Sequence, residues 1–548
     1  MGWAMTNRAI LFPAILALGL GVGLPAMAQS EAPPRTFTDA VHQVTSRPVY
    51  AHGEFGLEVY SLDTGRTVYA MNSQRLFTPG STTKLFTEGT ALYLLGADYR
   101  FHTPLYRTGK IDGKGTLNGD LILVGSGDPN LSDRLQPDGT LAWVDEDHSY
   151  GGADSRLVGK DPIIVLHQFA HAVADAGIKR IKGRVLIDVS LFPEGAKDLG
   201  TGEYISPVVV NDNAIDIIYA PGAAIGDPAK LTTITPQVAY VHIVNQITTA
   251  DGDKDHVESK VVVDANRDTE TLTLTGTIGQ GSGPVVFAYA VRKPSQFAGM
   301  LLTQALKDAG VKVSGHADVI TDAAATRKFY RDDMRMAEHV STPLSEDVKL
   351  TLKVSQNLHA STMPYVMGAV LGHATDKIDQ KGFQLENDYL TRAGLDLTGA
   401  SQSDGAGGAG VAFYTPDFAV HYLAYMAKQP HFDMFQKDLP ILGKDGTLAD
   451  TQKDSPGAGH VFAKTGTYGG RDYLNGRRLI TGKGLAGYTI TPDGRHLAFA
   501  FYVNNVERTD DQDVSDMCGQ ALGEMASALY ALPLGADATP QTPIASGR

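Results

Sequence analysis

Cysteine is almost absent from this sequence: Cys518 is the single cysteine among 548 residues. One cysteine cannot form a disulfide within the chain, so core packing must stabilise the fold. The 16 histidines form no H-E-x-x-H motif, and no cysteine cluster accompanies them. The sequence therefore predicts no metal site, and it indicates no cofactor.

Positive charge is also in deficit. The chain has 47 lysines and arginines against 61 aspartates and glutamates, which gives a formal net charge of −14. Because nucleic acids are polyanions, this balance argues against a nucleic-acid partner. The G-x-S-x-G elbow of Ser-His-Asp esterases is missing as well, which disfavours that class of hydrolase.

Long hydrophobic runs are scarce. The apolar run over residues 10–24 follows Arg8, is short for a membrane span and leads to the small residues Ala26 and Ala28. This pattern predicts a secretory signal peptide over 1–28, cleaved before Gln29. No later stretch is long and apolar enough to span a bilayer, so we expect an exported, soluble mature chain.

Apolar content is nevertheless high enough for a folded protein of several domains. A 43% hydrophobic share and a length of 548 residues predict a large core and two to four domains. Alternating apolar residues predict a hairpin of strands 56–62 and 66–71, and a helical period follows over 82–95. Near the end of the chain we predict three strands, a closing helix and a disordered tail: 461–467, 484–490, 496–503, 513–532 and 533–548.

One short motif places a serine beside a lysine at the start of the predicted helix. Ser81, Thr82, Thr83 and Lys84 form S-x-x-K. Positions i and i+3 share a helix face, so the Lys84 amine can lie against the Ser81 hydroxyl and activate it as a nucleophile. Such a short pattern is weak alone, because Ser81 could equally be an ordinary helix cap.

Two further motifs follow in the order that serine acyl-enzymes require. Ser355 and Asn357 form S-x-N, and Lys464 begins a K-T-G motif. Each residue alone could be a polar helix residue or a solvated strand lysine. The three motifs together, each occurring once and in this order, favour an acyl-transfer site.

The spacing of the motifs predicts an insertion. The first two motifs stand 274 positions apart, from residue 81 to residue 355, which is far more than a compact catalytic domain needs. Short β-rich runs between Gly, Asp and Asn turns predict one or two mainly β modules within 109–335. The polar, glycine-rich stretch 131–160 favours a solvated surface loop.

The motifs, their order and the insertion resemble the D-alanyl-D-alanine carboxypeptidase/endopeptidase family, the low-molecular-mass class C penicillin-binding proteins. Three longer strings share in the resemblance: residues 120–129, 211–213 and 439–448. The resemblance covers nearly all of the mature chain. It implies an α+β multidomain protein whose penicilloyl-serine transferase (β-lactamase/transpeptidase-like) catalytic domain, with an antiparallel sheet and helices, spans 35–108 and 336–532 and is interrupted by the inserted β modules.

The resemblance implies that Ser81 attacks the carbonyl of the penultimate D-alanine and forms an acyl-enzyme. Lys84 would act as the base, which requires a pKa lowered by burial or by a neighbouring cation such as Lys464. Ser355 would relay a proton toward the leaving amine. Asn357 would hold the Lys84 amine or the substrate amide.

The K-T-G strand would hold the substrate. By the same resemblance, Lys464 and Thr465 would bind its terminal carboxylate, and Gly466 would let its backbone approach the strand. The backbone N–H groups of Ser81 and Thr467 would form the oxyanion hole. The implied partners are peptidoglycan stem peptides and crosslinks, with β-lactams as inhibitors, and the implied location is the periplasm.

The chain also departs from the family pattern. Gln356 stands in the middle of S-x-N, where Asp or Asn is more common, and the D-G-S-G-L-S string lacks both serines over residues 404–409. Pro364 should end or kink the helix that follows Asn357. Two alternatives stay open: a β-lactamase, although those chains are far shorter, and a peptidoglycan-binding protein without turnover.

Overall fold

The structure, a computed structural model, describes residues 33–253, 262–266, 270–508 and 513–535. The predicted signal peptide over 1–28 lies outside these ranges. So do residues 254–261 and 267–269 of the predicted β modules and residues 536–548 of the predicted tail. The described residues from Arg35 onward form one unit by their internal contacts.

The helices are as follows. The described residues form α1 (Phe37–Thr45), α2 (Lys84–Leu94), α3 (Ile164–Asp175), α4 (Pro294–Asp308), α5 (Leu344–Val354), α6 (Asn357–Val370), α7 (Ile378–Arg392), α8 (Pro416–Met426), α9 (Phe432–Lys437) and α10 (Val514–Ala531). Among the residues that the structure describes, no helix combines the length and the apolar character needed to cross a membrane.

The strands of the first half are β1 (Glu54–Ser61), β2 (Arg66–Met71), β3 (His102–Arg107), β4 (Lys110–Ile111), β5 (Thr116–Asn118), β6 (Leu121–Val124), β7 (Arg180–Ile181), β8 (Val185–Asp188), β9 (Ala214–Ala220), β10 (Lys230–Thr235), β11 (His242–Asp253), β12 (Val262–Asn266) and β13 (Thr271–Gly281). Those of the second half are β14 (Val285–Ala290), β15 (Lys312–Val313), β16 (Asp318–Ile320), β17 (Arg335–Val340), β18 (Ala400–Ser401), β19 (Phe413–Tyr414), β20 (Val461–Asp472), β21 (Arg477–Ile490), β22 (His496–Asn504) and β23 (Val506–Arg508).

A central antiparallel sheet joins the two ends of the chain. Its order is β2–β1–β22–β21–β20, and β23 extends β21. Side chains alternate across the sheet, as the strand period of two requires. On β22, Phe499 and Phe501 pack toward α1 and α10, whereas Ala500 and Tyr502 pack toward α2 and α8. Both faces are therefore buried, and the predicted C-terminal strands and closing helix are confirmed.

The described residues from β3 to β17 form four sheets, one of them the small sheet β15–β7–β5–β4. A mixed sheet runs β16–β8–β6–β3–β17, with parallel pairs among its first three strands, and α3 and α4 share its apolar core. Two three-stranded sheets, β10–β9–β14 and β11–β13–β12, follow. β3 lies before the predicted insertion and β17 lies at its end, and β3 pairs with both β6 and β17. The mixed sheet therefore contains strands from both sides of the predicted boundaries. The predicted domain boundaries at 108/109 and 335/336 stay predictions.

Pro364 does not end its helix. Helix α6 continues through it to Val370, so a stop at this proline is wrong. Proline has no N–H to donate to the carbonyl of Ala360, which leaves that oxygen without its helical partner. The backbone of Gly405 fills this space: a Cβ on Gly405 would lie 2.0 Å from the Ala360 oxygen. The missing hydrogen bond thus coincides with the close approach of a loop.

Candidate active site

The S-x-x-K serine lies in a tight turn at the edge of the central sheet. Residues Gly80–Thr83 form a single 3₁₀ turn, and α2 begins at Lys84. Gly80 has a φ of 51°, a left-handed conformation that glycine adopts without strain. Ser81 is half-buried, whereas Lys84 is completely buried. The turn therefore presents the hydroxyl to the outside while the amine approaches it from within.

Lys84 is the centre of a hydrogen-bond cluster. Its Nζ lies 2.7 Å from Ser81 Oγ, 3.2 Å from Ser355 Oγ and 2.5 Å from Asn357 Oδ1. The backbone oxygen of Ala406 is a weaker neighbour at 3.4 Å. The structure thus brings the first two motifs into contact through one amine.

Ser355 connects this cluster to the third motif. It has a φ of 62° at the end of α5, and α6 begins two residues later. The Gln356 side chain fixes this corner, because its Oε1 accepts from the backbone N–H of Leu358 at 2.7 Å. The Lys464 amine donates to Ser355 Oγ at 2.9 Å. One serine hydroxyl therefore bridges two lysines.

Lys464 and the three residues after it lie on β20. Lys464 is fully buried, while Thr465, Gly466 and Thr467 line the site. The hydroxyls of Thr465 and Thr447 lie 2.7 Å apart. A Cβ on Gly466 would lie 1.9 Å from the carbonyl oxygen of Pro79. The glycine is therefore required where β20 packs on the segment that leads to the nucleophile, in addition to any role toward substrate.

We expect Gly466→Ala to impair both folding and acylation. Its methyl would overlap the Pro79 carbonyl and push β20 away from the Ser81 turn. Overpacking of this kind typically lowers the free energy of unfolding by about 1–3 kcal/mol. Chemical denaturation and the rate of penicillin acylation measure the two effects. Gly470→Ala on the same strand is the control, because a Cβ there meets nothing within 4 Å; equal behaviour of the two variants would contradict the prediction.

Burial changes the proton affinity of both active-site lysines. It lowers the pKa of Lys84 to about 8, although the carboxylates of Asp198, Asp404 and Glu88 oppose the change. The pKa of Lys464 is well below its ordinary value, because of burial first and of the charges on Lys84 and Lys483 second. Of the two causes that the sequence left open for Lys84, burial is the one that acts most.

A cavity of about 670 Å³ opens beside Ser81. The stretch 131–160 contributes Asp145, Glu146 and Tyr150 to its wall, and the Tyr150 hydroxyl donates to the backbone oxygen of Ser355. The expectation of a solvated surface loop is therefore wrong for part of this stretch: Asp145, Glu146 and Tyr150 are exposed, whereas Arg134, Asp147 and His148 are buried. These three charged side chains can be buried because they find partners in one another and elsewhere in the chain.

Those partners form a buried charge network behind the S-x-N corner. Arg134 donates to Asp147 Oδ2 at 2.7 Å and to Asp212 Oδ2 at 2.6 Å. Both nitrogens of His148 and of His359 also bind carboxylates, Asp212 among them. Since carboxylates only accept, both rings are protonated, and the carboxylates raise the pKa of His359 to about 10 against the effect of burial.

Asp147, His148 and Asp212 place their ligand-type atoms within 4.8 Å of one another. The carboxylates of Asp147 and Asp212 already bind Arg134, and His148 binds Asp212. The guanidinium therefore supplies positive charge that balances the carboxylates. The donor set is thus occupied by the protein itself. The absence of a metal and of a cofactor stays a prediction.

The loop that lacks both family serines is held by hydrogen bonds from its backbone to Asp404. Asp404 accepts from the N–H groups of Ala406, Gly407, Gly408 and Ala409. This wraps the loop around one carboxylate and aims the Ala406 oxygen at Lys84. The contact with the active site therefore needs no serine side chain.

Residues 37–524 match the D-Ala-D-Ala carboxypeptidase 3 (S13) family. The chain belongs to this family. The resemblance found in the motifs is confirmed. The D-alanyl-D-alanine carboxypeptidase of Actinomadura sp. (strain R39) is 25% identical over 547 residues, which cover 96% of this chain and 91% of that protein. D-alanyl-D-alanine carboxypeptidase DacB of Haemophilus influenzae is 23% identical over 426 residues, covering 76% and 78%.

Solved structures of this S13 protein's relatives share its fold. The crystal structure of penicillin binding protein 4 (dacB) from Haemophilus influenzae superposes with a TM-score of 0.67 at 20% identity. The match covers 89% of this chain and 98% of that one. The predicted fold class, a transpeptidase-like α+β domain with inserted modules, is confirmed.

Some residues lining the cavity of this S13 protein escaped the sequence motifs. Lys483 lies on β21, one residue before the strand predicted from residue 484. Charged residues such as Arg477 and Arg478 weaken the apolar alternation at the start of β21 and conceal the strand. Tyr150 and Glu146 are exposed, as a polar, glycine-rich stretch indicates, but the sequence does not show that they line a cavity with residues far away in the chain. An acidic run close to a tyrosine was the one available signal.

Proposed function

We propose that this protein is a serine D-Ala-D-Ala carboxypeptidase and DD-endopeptidase that acts on peptidoglycan stem peptides and crosslinks and is inhibited by β-lactams. The observation that supports it most is the continuous chain Ser81, Lys84, Ser355 and Lys464, with its nucleophile at a 670 Å³ cavity. Family membership points the same way. A second structure of the Haemophilus protein is described as complexed with a β-lactam.

In the acylation step, neutral Lys84 takes the proton of Ser81 across 2.7 Å while Ser81 Oγ attacks the carbonyl carbon of the penultimate D-alanine. The carbonyl π bond opens, and its oxygen becomes an oxyanion. The N–H groups of Ser81 and Thr467, both of which line the cavity, are the proposed donors to that oxyanion. One such donor is typically worth about 3 kcal/mol.

Collapse of the intermediate needs a proton on the leaving amine. Lys84 now holds the proton from Ser81, and Ser355 Oγ lies 3.2 Å from it and 2.9 Å from the Lys464 amine. Ser355 can pass its own proton to the leaving nitrogen and receive one from Lys84. The C–N bond then breaks and releases D-alanine or the crosslinked peptide. Water then attacks the ester carbonyl and gives a proton to the Lys84–Ser355 relay; the C–O bond to Ser81 breaks, Ser81 Oγ regains a proton, and the shortened peptide leaves with a new carboxylate.

We expect the acylation rate to rise with pH around pH 8. Only neutral Lys84 can accept the proton, and the pKa of Lys84 is lowered to about 8 by burial. The rate should rise about tenfold per pH unit well below pH 8 and level off above it. The acylation rate is measured with a fluorescent penicillin in reactions quenched at set times between about pH 5.5 and 9.5, and circular dichroism checks that the protein stays folded. A rate that falls over this range would contradict the role of Lys84.

The cellular compartment of the mature protein is also a proposal. The family's named members act on D-Ala-D-Ala, a cell-wall structure outside the cytoplasm, and the first residues have the pattern of a secretory signal. We place the mature protein in the periplasm. Cell fractionation with an antibody against the mature chain, and N-terminal sequencing for a start at Gln29, test this assignment.

The test of function uses the purified mature chain. It is incubated with benzylpenicillin for intact-mass analysis and with a peptide ending in D-Ala-D-Ala for D-alanine release. A persistent adduct that maps to the peptide containing Ser81, together with D-alanine release, supports the proposal. Rapid turnover of penicillin without D-alanine release would instead establish a β-lactamase. Binding of peptidoglycan with neither adduct nor release would establish the non-catalytic alternative.

A further inference from the structure

The cationic group expected to meet the substrate carboxylate does not reach the cavity. The family pattern assigns this role to Lys464, but Lys464 is completely buried and does not line the cavity. Its amine donates to Ser355 Oγ and to the backbone oxygen of Thr465. Lys464 therefore binds the Ser355 hydroxyl of the proposed proton relay. A substrate carboxylate in the cavity needs another cation.

Lys483 is placed to be that cation. It lies on β21 directly opposite Thr467 in the strand register, and it lines the same cavity. Its Nζ donates to Thr467 Oγ1 and to Ser515 Oγ, each at 2.8 Å. An ammonium has three N–H donors, so one is without a partner among the described residues. Both acceptors are neutral hydroxyls, and no carboxylate of the described residues forms an ion pair with Lys483.

The bond to Thr467 also fixes the direction of that hydroxyl. Because the ammonium donates to Thr467 Oγ1, the hydroxyl proton must point elsewhere, and the cavity lies on the open side. Thr467 thus becomes a donor toward the cavity. Two donors side by side, one of them charged, match the two oxygens of a carboxylate.

The surrounding charges are compatible with this role. Burial lowers the pKa of Lys483, and the nearby Cys518, Asp513 and Asp516 oppose that change. Asp513 and Asp516 also line this wall of the cavity, yet neither forms an ion pair with Lys483 among the described residues. The acidic side chains therefore favour the charged lysine without neutralising it by direct contact.

We propose that Lys483, together with the Thr467 hydroxyl, is the binding site for the C-terminal carboxylate of the substrate. This inference rests on the proposed function. It makes Lys483 a specificity-determining residue that selects peptides and β-lactams with a free carboxylate over amidated or esterified ones. Lys464 then acts on the proton relay and not on the carboxylate.

The test measures binding without turnover, in the Ser81→Ala background. An acylated peptide ending in D-Ala-D-Ala and its C-terminal amide are titrated by calorimetry into this variant and into the double variant with Lys483→Gln. We expect the preference for the acid over the amide to fall at least about tenfold when Lys483 is replaced, because a charge-assisted hydrogen bond is lost. Lys483→Arg should retain most of the preference.

Two controls separate recognition from structure. Ser515→Ala removes the bond that ties Lys483 to α10 but keeps the ammonium, so the preference for the acid should persist. Lys437→Gln removes an equal charge from an exposed position outside the cavity and should change nothing. An unchanged acid-to-amide ratio in Lys483→Gln would overturn the inference. Binding of the acid without any D-alanine release by the Ser81 enzyme would overturn the proposed function instead.

Discussion

Ser81→Ala should form no penicillin adduct and should lower D-alanine release by about 10⁴-fold or more, because it removes the hydroxyl proposed to form the acyl ester. Ser81 and Ser355 both meet the Lys84 amine, at 2.7 Å and 3.2 Å, and both line the cavity, but the Ser355 hydroxyl is also bound by the Lys464 amine. Thr465 and Thr467 line the cavity too, but their hydroxyls bind Thr447 and Lys483 instead. Intact-mass analysis and a coupled D-alanine assay measure the two losses.

The loss should come from chemistry and not from unfolding. Lys84 keeps its bonds to Ser355 and Asn357 when the Ser81 hydroxyl is removed, and Ser81 itself is half-buried. The free energy of unfolding should therefore stay within about 1 kcal/mol of the parent. Ser401→Ala, an exposed serine, serves as the matched control and should react normally. A penicillin adduct on the Ser81→Ala protein would show that the nucleophile lies elsewhere.

The catalytic motifs could be predicted because their chemistry dictates local spacing. Ser81 and Lys84 must share one helix face, and the sequence shows that directly. Ser355, Asn357 and Lys464 were predicted from their order, and the structure brings all of them to Lys84 or to its neighbour. Their chemical roles stay predictions until the variants are measured.

The surroundings of these residues could not be predicted, since they depend on long-range pairing. A polar stretch indicates solvent unless its partners are known, and the partner of Arg134 is Asp212, 78 positions away. The same limit hid Lys483, whose role depends on its position opposite Thr467 across a hairpin. Gly466 illustrates a third case: the sequence suggested room for substrate, while the structure shows close packing against Pro79.

The buried charge network leads to the second large effect. Arg134→Met should lower the free energy of unfolding by about 3–5 kcal/mol at neutral pH, because it removes the guanidinium that two buried carboxylates share. Burial alone raises the pKa of Asp212, and Arg134, with hydrogen bonds from His148 and His359, holds that pKa well below its ordinary value. Urea denaturation followed by circular dichroism measures the change.

The pH dependence of that deficit identifies its cause. In the parent, the depressed pKa of Asp212 contributes stability that is present above the unfolded pKa of about 3.9 and is lost as pH falls through the lower folded value. Without Arg134 the buried carboxylates of Asp212 and Asp147 take up protons more readily. The deficit should therefore be largest near pH 7 and shrink toward pH 4.

The network also supports the catalytic corner, so acylation should slow in the same variant. Asp147 accepts a hydrogen bond from the Ser149 hydroxyl, whose oxygen accepts from the Gln356 side-chain amide at 3.2 Å. The neighbouring Tyr150 hydroxyl donates to the backbone oxygen of Ser355. Displacing Asp147 should loosen this support. Arg184→Met is the matched control, since its ion pair with Asp318 is exposed and should be worth no more than about 1 kcal/mol. Equal losses in the two variants, or a deficit in Arg134→Met that does not change with pH, would show that the charges of the network do not stabilise this fold.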